Sequence, residues 1–219
     1  MKKVIGPKGN ISNARQLERF YITEKLVNIR NKTIVDYGCL DGTQKEGEIF
    51  GTPVFYGIDK SNTLIGIDIR DVEKLKDQYI VSDIISAPLS SQSVDIGICV
   101  STIEHIGLTK YMNELDPKGD EKALQKMIDV LKIGGKLYVT FPCGAFKDYI
   151  IGGWIRVYSE KTIDKWVQSY PNCSFERNIF GLFGKSWYEC TTKELAKIHT
   201  TPEIYGICCL NITKGDSYA

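Results

Sequence analysis

Two short runs constrain this chain more than anything else in it: Thr33-Ile-Val-Asp-Tyr-Gly-Cys-Leu-Asp-Gly42 and Ile98-Cys-Val-Ser-Thr-Ile-Glu-His-Ile106. The first is an apolar strand that breaks into an Asp-x-Gly-x-x-x-Gly turn. The second is an apolar strand that ends in small and polar residues. A glycine directly after a strand lets the backbone turn sharply and approach a neighbour, because it has no Cβ. Strands of this kind belong to open α/β sheets, whose ligands lie outside the carboxyl ends of the strands.

The rest of the chain alternates to match. Leu17, Phe20, Tyr21, Leu26 and Ile29 recur at helical spacing within Ile11 to Arg30, and Asn13 or Ser12 is suited to cap the start. Strands are predicted at 33–37, 64–69, 79–81, 94–100 and 136–141, the fourth as the near-continuous apolar run of a strand covered on both faces. Between them, 42–53 lacks an apolar stripe and 71–78 reads as a brief helix. Ala123, Leu124, Met127, Ile128 and Leu131 give a longer helix over 120–131, stopped by Ile133-Gly-Gly. A helix at 159–169 and strands near 174–180 and 204–212 follow. Strand–helix alternation implies right-handed crossovers and a largely parallel sheet. One domain over 1–219 is expected, with an N-terminal helical segment (1–30) and a substrate lid or insert (143–190).

Composition narrows the partners. Lys and Arg total 28 against 27 Asp and Glu, which leaves no electrostatic footprint for nucleic acid or an anionic membrane. No 18 apolar residues run together, and no apolar segment follows the basic N-terminus, so neither membrane insertion nor a signal peptide is expected. The 7 cysteines are scattered, with no C-x-x-C pair, which favours free thiols in a reducing cytoplasm.

The polar residues at the predicted strand ends are the site candidates. Asp36 and Gly38 form the first turn; a pyrophosphate cradle would need a glycine where Leu40 stands, and a third where Thr43 stands, which disfavours a nicotinamide-dependent reductase. Asp68 ends the second strand, where a carboxylate can accept bonds from two ribose hydroxyls; Asp59 is its rival, nearer the customary spacing from the glycines. Asp83 follows the third strand and suits an adenine amino group, with Ile84 over the ring, although an Asx-turn serves as well. Ser101 and Glu104 follow the fourth strand. His105 there is a candidate general base, its ordinary pKa lying near operating pH; a packed structural histidine is the competing reading. Trp154, Arg156 and Tyr158 form an aromatic, Gly-rich stretch able to stack on and grip a substrate, or simply to anchor a loop. Trp187 and Tyr188 carry the same pair of readings.

In this order the motifs resemble class I S-adenosylmethionine (SAM) dependent methyltransferases over about residues 30–145. The runs 101–108, Asp116-Pro-Lys-Gly-Asp120, Leu131–Leu137 and Trp154-Ile-Arg-Val-Tyr158 are most similar to small bacterial and archaeal methyltransferase-like proteins associated with cell-surface polysaccharide synthesis. The resemblance implies an α/β Rossmann-like three-layer sandwich around a seven-stranded, mostly parallel sheet whose last strand is antiparallel. It implies SAM as cofactor, held by Asp36, Gly38, Asp68, Asp83 and Ile84; Ser101, after the fourth strand where cofactor and substrate would meet, is a further expected cofactor contact. The chain departs from the family pattern at Leu40, in place of the middle glycine, and in a longer gap to Asp68.

The expected activity is methyl transfer to a small polar acceptor, a sugar or polysaccharide hydroxyl, with His105 taking the proton, Glu104 orienting it and Trp154, Arg156 and Tyr158 binding the acceptor. One base serves an oxygen or a nitrogen acceptor equally. No Asp-Asp-Asn metal set is evident, so metal independence is expected. The alternative is a non-catalytic module that keeps the fold and binds SAM weakly or not at all.

Overall fold

The structure, a computed structural model, describes residues 1–6, 9–11, 13–40, 58–71, 79–110, 115–144, 147–197 and 206–216. The strands are β1 (Lys2–Lys3), β2 (Ile5–Gly6), β3 (Gly9–Asn10), β4 (Thr33–Tyr37), β5 (Thr63–Asp68), β6 (Ile80–Val81) and β7 (Val94–Val100). They continue with β8 (Leu131–Cys143), β9 (Tyr149–Ile151), β10 (Ile155–Val157), β11 (Cys173–Phe183), β12 (Ser186–Glu189) and β13 (Gly206–Lys214). The helices are α1 (Ala14–Leu26), α2 (Gly119–Asp129), α3 (Glu160–Ser169) and α4 (Thr192–Ala196).

Nine strands form one sheet in the order β1-β12-β11-β13-β8-β7-β4-β5-β6. The five from β8 to β6 are parallel to their neighbours, and β13 runs antiparallel between β8 and β11. This is the expected Rossmann-like architecture, with β12 and β1 added antiparallel beyond the seven expected strands. The chain runs outward from β4 through β5 to β6, then returns to β7 on β4's other side. A crevice opens at such a reversal, at the carboxyl ends of the strands.

Period-two alternation sorts the core into layers. Val35 and Tyr37 of β4, Cys99 of β7, and Leu137, Val139 and Phe141 of β8 face one side, with Ala123, Leu124 and Met127 of α2 and Ile163 and Trp166 of α3. The intervening Ile34, Ile96, Ile98 and Tyr138 face the other side, against Ile22 and Leu26 of α1. Each such fully buried aliphatic side chain contributes roughly 2 kcal/mol by transfer from water. Asn13 caps α1, its Oδ1 accepting from the Gln16 amide at 2.9 Å, and the Ser159 hydroxyl caps α3.

Two local expectations change. β8 begins at Leu131 rather than Lys136, because the chain leaves α2 straight into the sheet and absorbs Gly134 at φ +75° within the strand. The segment 143–190 is not an insert as a whole: only the β9–β10 hairpin stands apart, and α3, β11 and β12 are parts of the main fold. The hairpin turns on Gly152 and Gly153 (φ +57° and +77°), with the Trp154 amide donating to the Ile151 carbonyl at 3.1 Å. The segments 42–53 and 72–78 fall largely outside the described residues. All seven cysteines are free thiols, five of them buried, and no helix among the described residues is long and apolar enough to cross a membrane.

Candidate active site at the carboxyl ends of β4, β5 and β7

The β4 turn is fixed from two sides. The Gly38 and Cys39 amides donate to the Ile67 carbonyl at 2.8 and 3.2 Å, tying the turn to β5. Gly38 has φ +74°, and a Cβ there would overlap Thr102 Oγ1, so the turn also closes on the segment after β7. Asp36, 2% exposed, lies just behind it.

Asp68 ends β5 beside this turn, and its carboxylate is already engaged. Oδ2 accepts from the Leu40 amide at 3.0 Å, while Arg70 Nε lies 2.8 Å from Oδ1 and Nη2 lies 2.9 Å from Oδ2. Arg70 Nη2 also donates to the Leu40 carbonyl. Leu40 therefore contributes its backbone to the Asp68 contact and buries its side chain. The rival Asp59 precedes β5 at the opposite end of the sheet, pairing with Arg30 at 2.6 Å. Asp83 forms the Asx-turn, Oδ1 accepting from the Ile85 amide at 2.6 Å. Ile84, expected over a bound ring, instead packs in the main core, because the turn directs it inward.

After β7, Ser101 takes the left-handed conformation (φ +45°) that a non-glycine residue seldom adopts. Its hydroxyl donates to Glu18 Oε1 of α1 at 2.6 Å, and Thr140 Oγ1 of β8 donates to the same oxygen at 2.8 Å. The Ser101 hydroxyl thus serves Glu18. Glu18 was not among the expected site residues. A signal for it existed: Glu18, Ile22 and Leu26 stand four apart on one stripe of α1, which places a carboxyl on the buried face.

Glu104 lies in the single 3₁₀ turn Ile103–His105 and is 2% exposed. Its Oε1 is 3.8 Å from His105 Nε2, and its Oε2 has no hydrogen-bond partner. Burial, and then the nearby Glu18, push the Glu104 carboxyl well above the usual carboxylate range; burial raises Glu18 as well. His105 Nδ1 is 2.6 Å from the Trp154 carbonyl. A carbonyl only accepts, so Nδ1 carries the proton and Nε2 keeps its lone pair. Burial lowers the His105 pKa from 6.5, so the ring is neutral at pH 7. The Trp154 ring stacks on the imidazole, centroids 5.2 Å apart and planes 6° apart, and also carries Lys110 Nζ at 3.6 Å. His105, Glu104 and Trp154 thus lie together, with the indole engaged by protein groups.

Arg156 and Tyr158 are not a substrate grip. Arg156 Nη1 donates to the Ile106 carbonyl, Nη2 to the Asp116 carbonyl at 3.4 Å, and Nε lies 3.7 Å from Asp120 Oδ2. The Tyr158 hydroxyl donates to Asp120 Oδ2 at 2.9 Å, and its ring packs on Phe141 and Trp166. Gly107 and Gly119 complete the clamp: a Cβ at Gly107 would overlap the Asp116 carbonyl, and one at Gly119 would lie 2.9 Å from Gly107 Cα. The motifs 101–108, 116–120 and 154–158 therefore form one structural lock that fixes the turn carrying Glu104 and His105. Trp187 is also core, packed with Leu17 and Phe180.

The groups at these strand ends are of the type an adenosyl ligand would need: a tight glycine turn, a carboxylate at the end of β5 and another after β6. Arg70 stands on the second of these features. Among the described residues no three His, Cys, Asp or Glu side chains converge as a metal set.

Comparison with known proteins bears on the fold. A family described as Caenorhabditis protein of unknown function, DUF268, matches residues 70–173, which contain the lock. The ubiquinone biosynthesis O-methyltransferase of Coxiella burnetii is 25% identical over 134 residues, covering 60% of this chain and 53% of the relative; the chain spans about half the length of the curated relatives it matches first. Among solved structures, the 1,6-didemethyltoxoflavin-N1-methyltransferase of Burkholderia thailandensis, with 1,6-didemethyltoxoflavin and S-adenosylhomocysteine bound, superposes with a TM-score of 0.60 at 10% identity, over 94% of this chain and 80% of its own. The [4+2]-cyclase SpnF gives 0.59 at 14% identity, over 98% and 87%. The chain has the class I methyltransferase fold.

Proposed function

We propose that this chain is a SAM-dependent methyltransferase, a single domain over 1–219, acting on a small polar acceptor, with a sugar or polysaccharide hydroxyl as the acceptor class. The observation that carries the reading is His105: a neutral imidazole at the carboxyl end of β7, its Nδ1 proton committed to the Trp154 carbonyl and its unprotonated Nε2 3.8 Å from the buried Glu104 Oε1. Asp36 and Gly38 would border the cofactor's methionine and ribose, Asp68 would accept from the ribose hydroxyls, and Asp83 would face the adenine. The bound cofactor would supply a methyl group already activated by its sulfonium. The chain would then need to align the acceptor, exclude water and accept one proton at His105 Nε2. The seven free thiols suit a reducing compartment, the cytoplasm.

The acceptor class rests on the sequence resemblance and on the availability of a neutral base. The test is methyl transfer from labelled SAM to a panel of free and nucleotide-linked sugars, with binding followed in parallel by calorimetry. Label transfer that is lost in His105→Gln while SAM still binds supports the reading. A wild-type protein that binds neither SAM nor S-adenosylhomocysteine overturns it.

A second reading, a methyltransferase-fold module without methyl-transfer activity, is favoured by one feature, the occupation of Asp68 by Arg70. The SpnF likeness is a reminder that proteins sharing this fold differ in chemistry.

A further inference from the structure

Three elements converge on a pair of buried carboxyls that the proposed chemistry does not by itself require. Glu18 comes from α1, its partner Thr140 from β8, and Glu104 from the turn after β7. Glu18 is held by two hydroxyls on one oxygen, and Ser101 adopts a left-handed backbone in doing so. Glu104 Oε2 is buried with no hydrogen-bond partner. Arg15 and Arg19 of α1 partly offset Glu18. The ionisable groups near Glu104 are Glu18, the Cys99 thiol, the Tyr158 hydroxyl and the neutral His105 ring. Beyond them lie Asp36, against Cys99, and Cys209, against Glu18.

Two carboxyls sharing a low-dielectric site cannot both ionise cheaply, and an unpaired buried charge is costly unless something neutralises it. We infer that Glu18 and Glu104 act as one charge-sensing pair that distinguishes a cationic sulfonium ligand from its neutral thioether product. The inference deepens the proposed function and rests on it. In the empty protein the pair retains a proton, consistent with both carboxyls being raised by burial. Arrival of the cationic ligand makes the fully ionised pair favourable, through space in a medium where charges act strongly, and the proton leaves to solvent. When the methyl is transferred, the sulfonium becomes a neutral thioether and the acceptor hydroxyl gives up one proton. His105 Nε2, 3.8 Å from Glu104 Oε1, takes that proton and the pair recovers it. Charge and protons balance over the cycle, and the pair, restored to its singly protonated form, no longer favours the site's occupant, which aids product release.

The experiment is calorimetry of SAM and of S-adenosylhomocysteine at pH 7, in two buffers of differing ionisation enthalpy, on wild type, Glu18→Gln and Glu104→Gln. Wild type is expected to bind SAM several-fold more tightly than S-adenosylhomocysteine and to release close to one proton with SAM only. Glu104→Gln is expected to erase both the preference and the proton release, and Glu18→Gln to reduce them. The wild-type proton count needs no variant, so a variant that misfolds leaves the test intact. Binding of both ligands with no proton release and no preference in wild type overturns the inference while leaving the proposed function standing. Failure of wild type to bind either ligand overturns both.

Discussion

Arg70 grips Asp68 through two parallel contacts, Nε to Oδ1 at 2.8 Å and Nη2 to Oδ2 at 2.9 Å, so the carboxylate best placed for a ribose is held by the protein's own guanidinium. A bidentate pair of this kind fixes geometry as well as charge. For Asp68 to accept from two ribose hydroxyls, Arg70 must release it. Arg70→Gln is therefore expected to bind SAM about tenfold more tightly than wild type, by removing a competitor worth about 1.4 kcal/mol. Asp68→Asn is expected to weaken binding. Calorimetry on the two variants checks the pair, and weaker binding in Arg70→Gln would mean that the guanidinium assists the ligand.

His105 gives a kinetic prediction. His105→Gln is expected to lower kcat by about 10²–10³ while leaving the SAM dissociation constant nearly unchanged, the range associated with a positioned base. The neutral ring is the working form and burial lowers its pKa from 6.5, so the acid limb of the rate profile should fall below pH 6.5. A limb above that value, or a variant with full rate, would remove His105 from the chemistry.

Glu18, Glu104 and Asp120 give a stability prediction. All three carboxyls are raised by burial, so between the ordinary carboxylate pKa and the folded value the native state holds more protons than the unfolded chain. These three groups then lower stability as pH rises through that window, opposite to the usual salt-bridged carboxylate, while the lowered His105 works the other way up to pH 6.5. Thermal unfolding of the ligand-free protein should give a lower midpoint at pH 8 than at pH 5, and Glu104→Gln should flatten the slope. A midpoint that climbs from pH 5 to pH 8 would refute this assignment.

The lock predicts loss of stability. Arg156→Ala removes the ion pair with the buried Asp120 and the guanidinium's bonds to the Ile106 and Asp116 carbonyls, and should cost about 3 kcal/mol. Tyr158→Phe should cost about 1–2 kcal/mol through the orphaned Asp120 oxygen. Both are read by denaturant unfolding. A raised acceptor KM with unchanged stability would return these residues to substrate binding.

Gly38→Ala strains a φ of +74° and overlaps Thr102 Oγ1. It should destabilise by roughly 1–3 kcal/mol. Adding Thr102→Ala should recover the overlap portion alone, which a double-mutant cycle resolves.

The sequence was most legible where a pattern is local. The strands at 33–37, 63–68 and 94–100 and the helices of 14–26 and 160–169 lie within a residue or a few of where periodicity and caps put them, and the carboxyl-end placement of Asp36, Asp68, Glu104 and His105 follows from strand direction. What stayed hidden is long-range. Glu18 reaches its partners across 83 and 122 residues. Arg156 and Tyr158 look like a ligand grip because an arginine aimed at main-chain carbonyls 40 and 50 residues away has the same sequence signature as one aimed at a substrate. β1 and β12 were missed because two- and four-residue strands carry no readable period.

One of those short strands has a consequence for how copies of the molecule meet. The sheet ends on β1, which offers only Lys2 and Lys3, both exposed, along its outer rim. A second sheet approaching that rim would find a ladder two residues long and a pair of ammonium groups facing its own. Among the described residues, brevity and repulsion close the rim. Replacing both lysines with valine would convert it into an adhesive edge, and crowding inside a cell would then act on it.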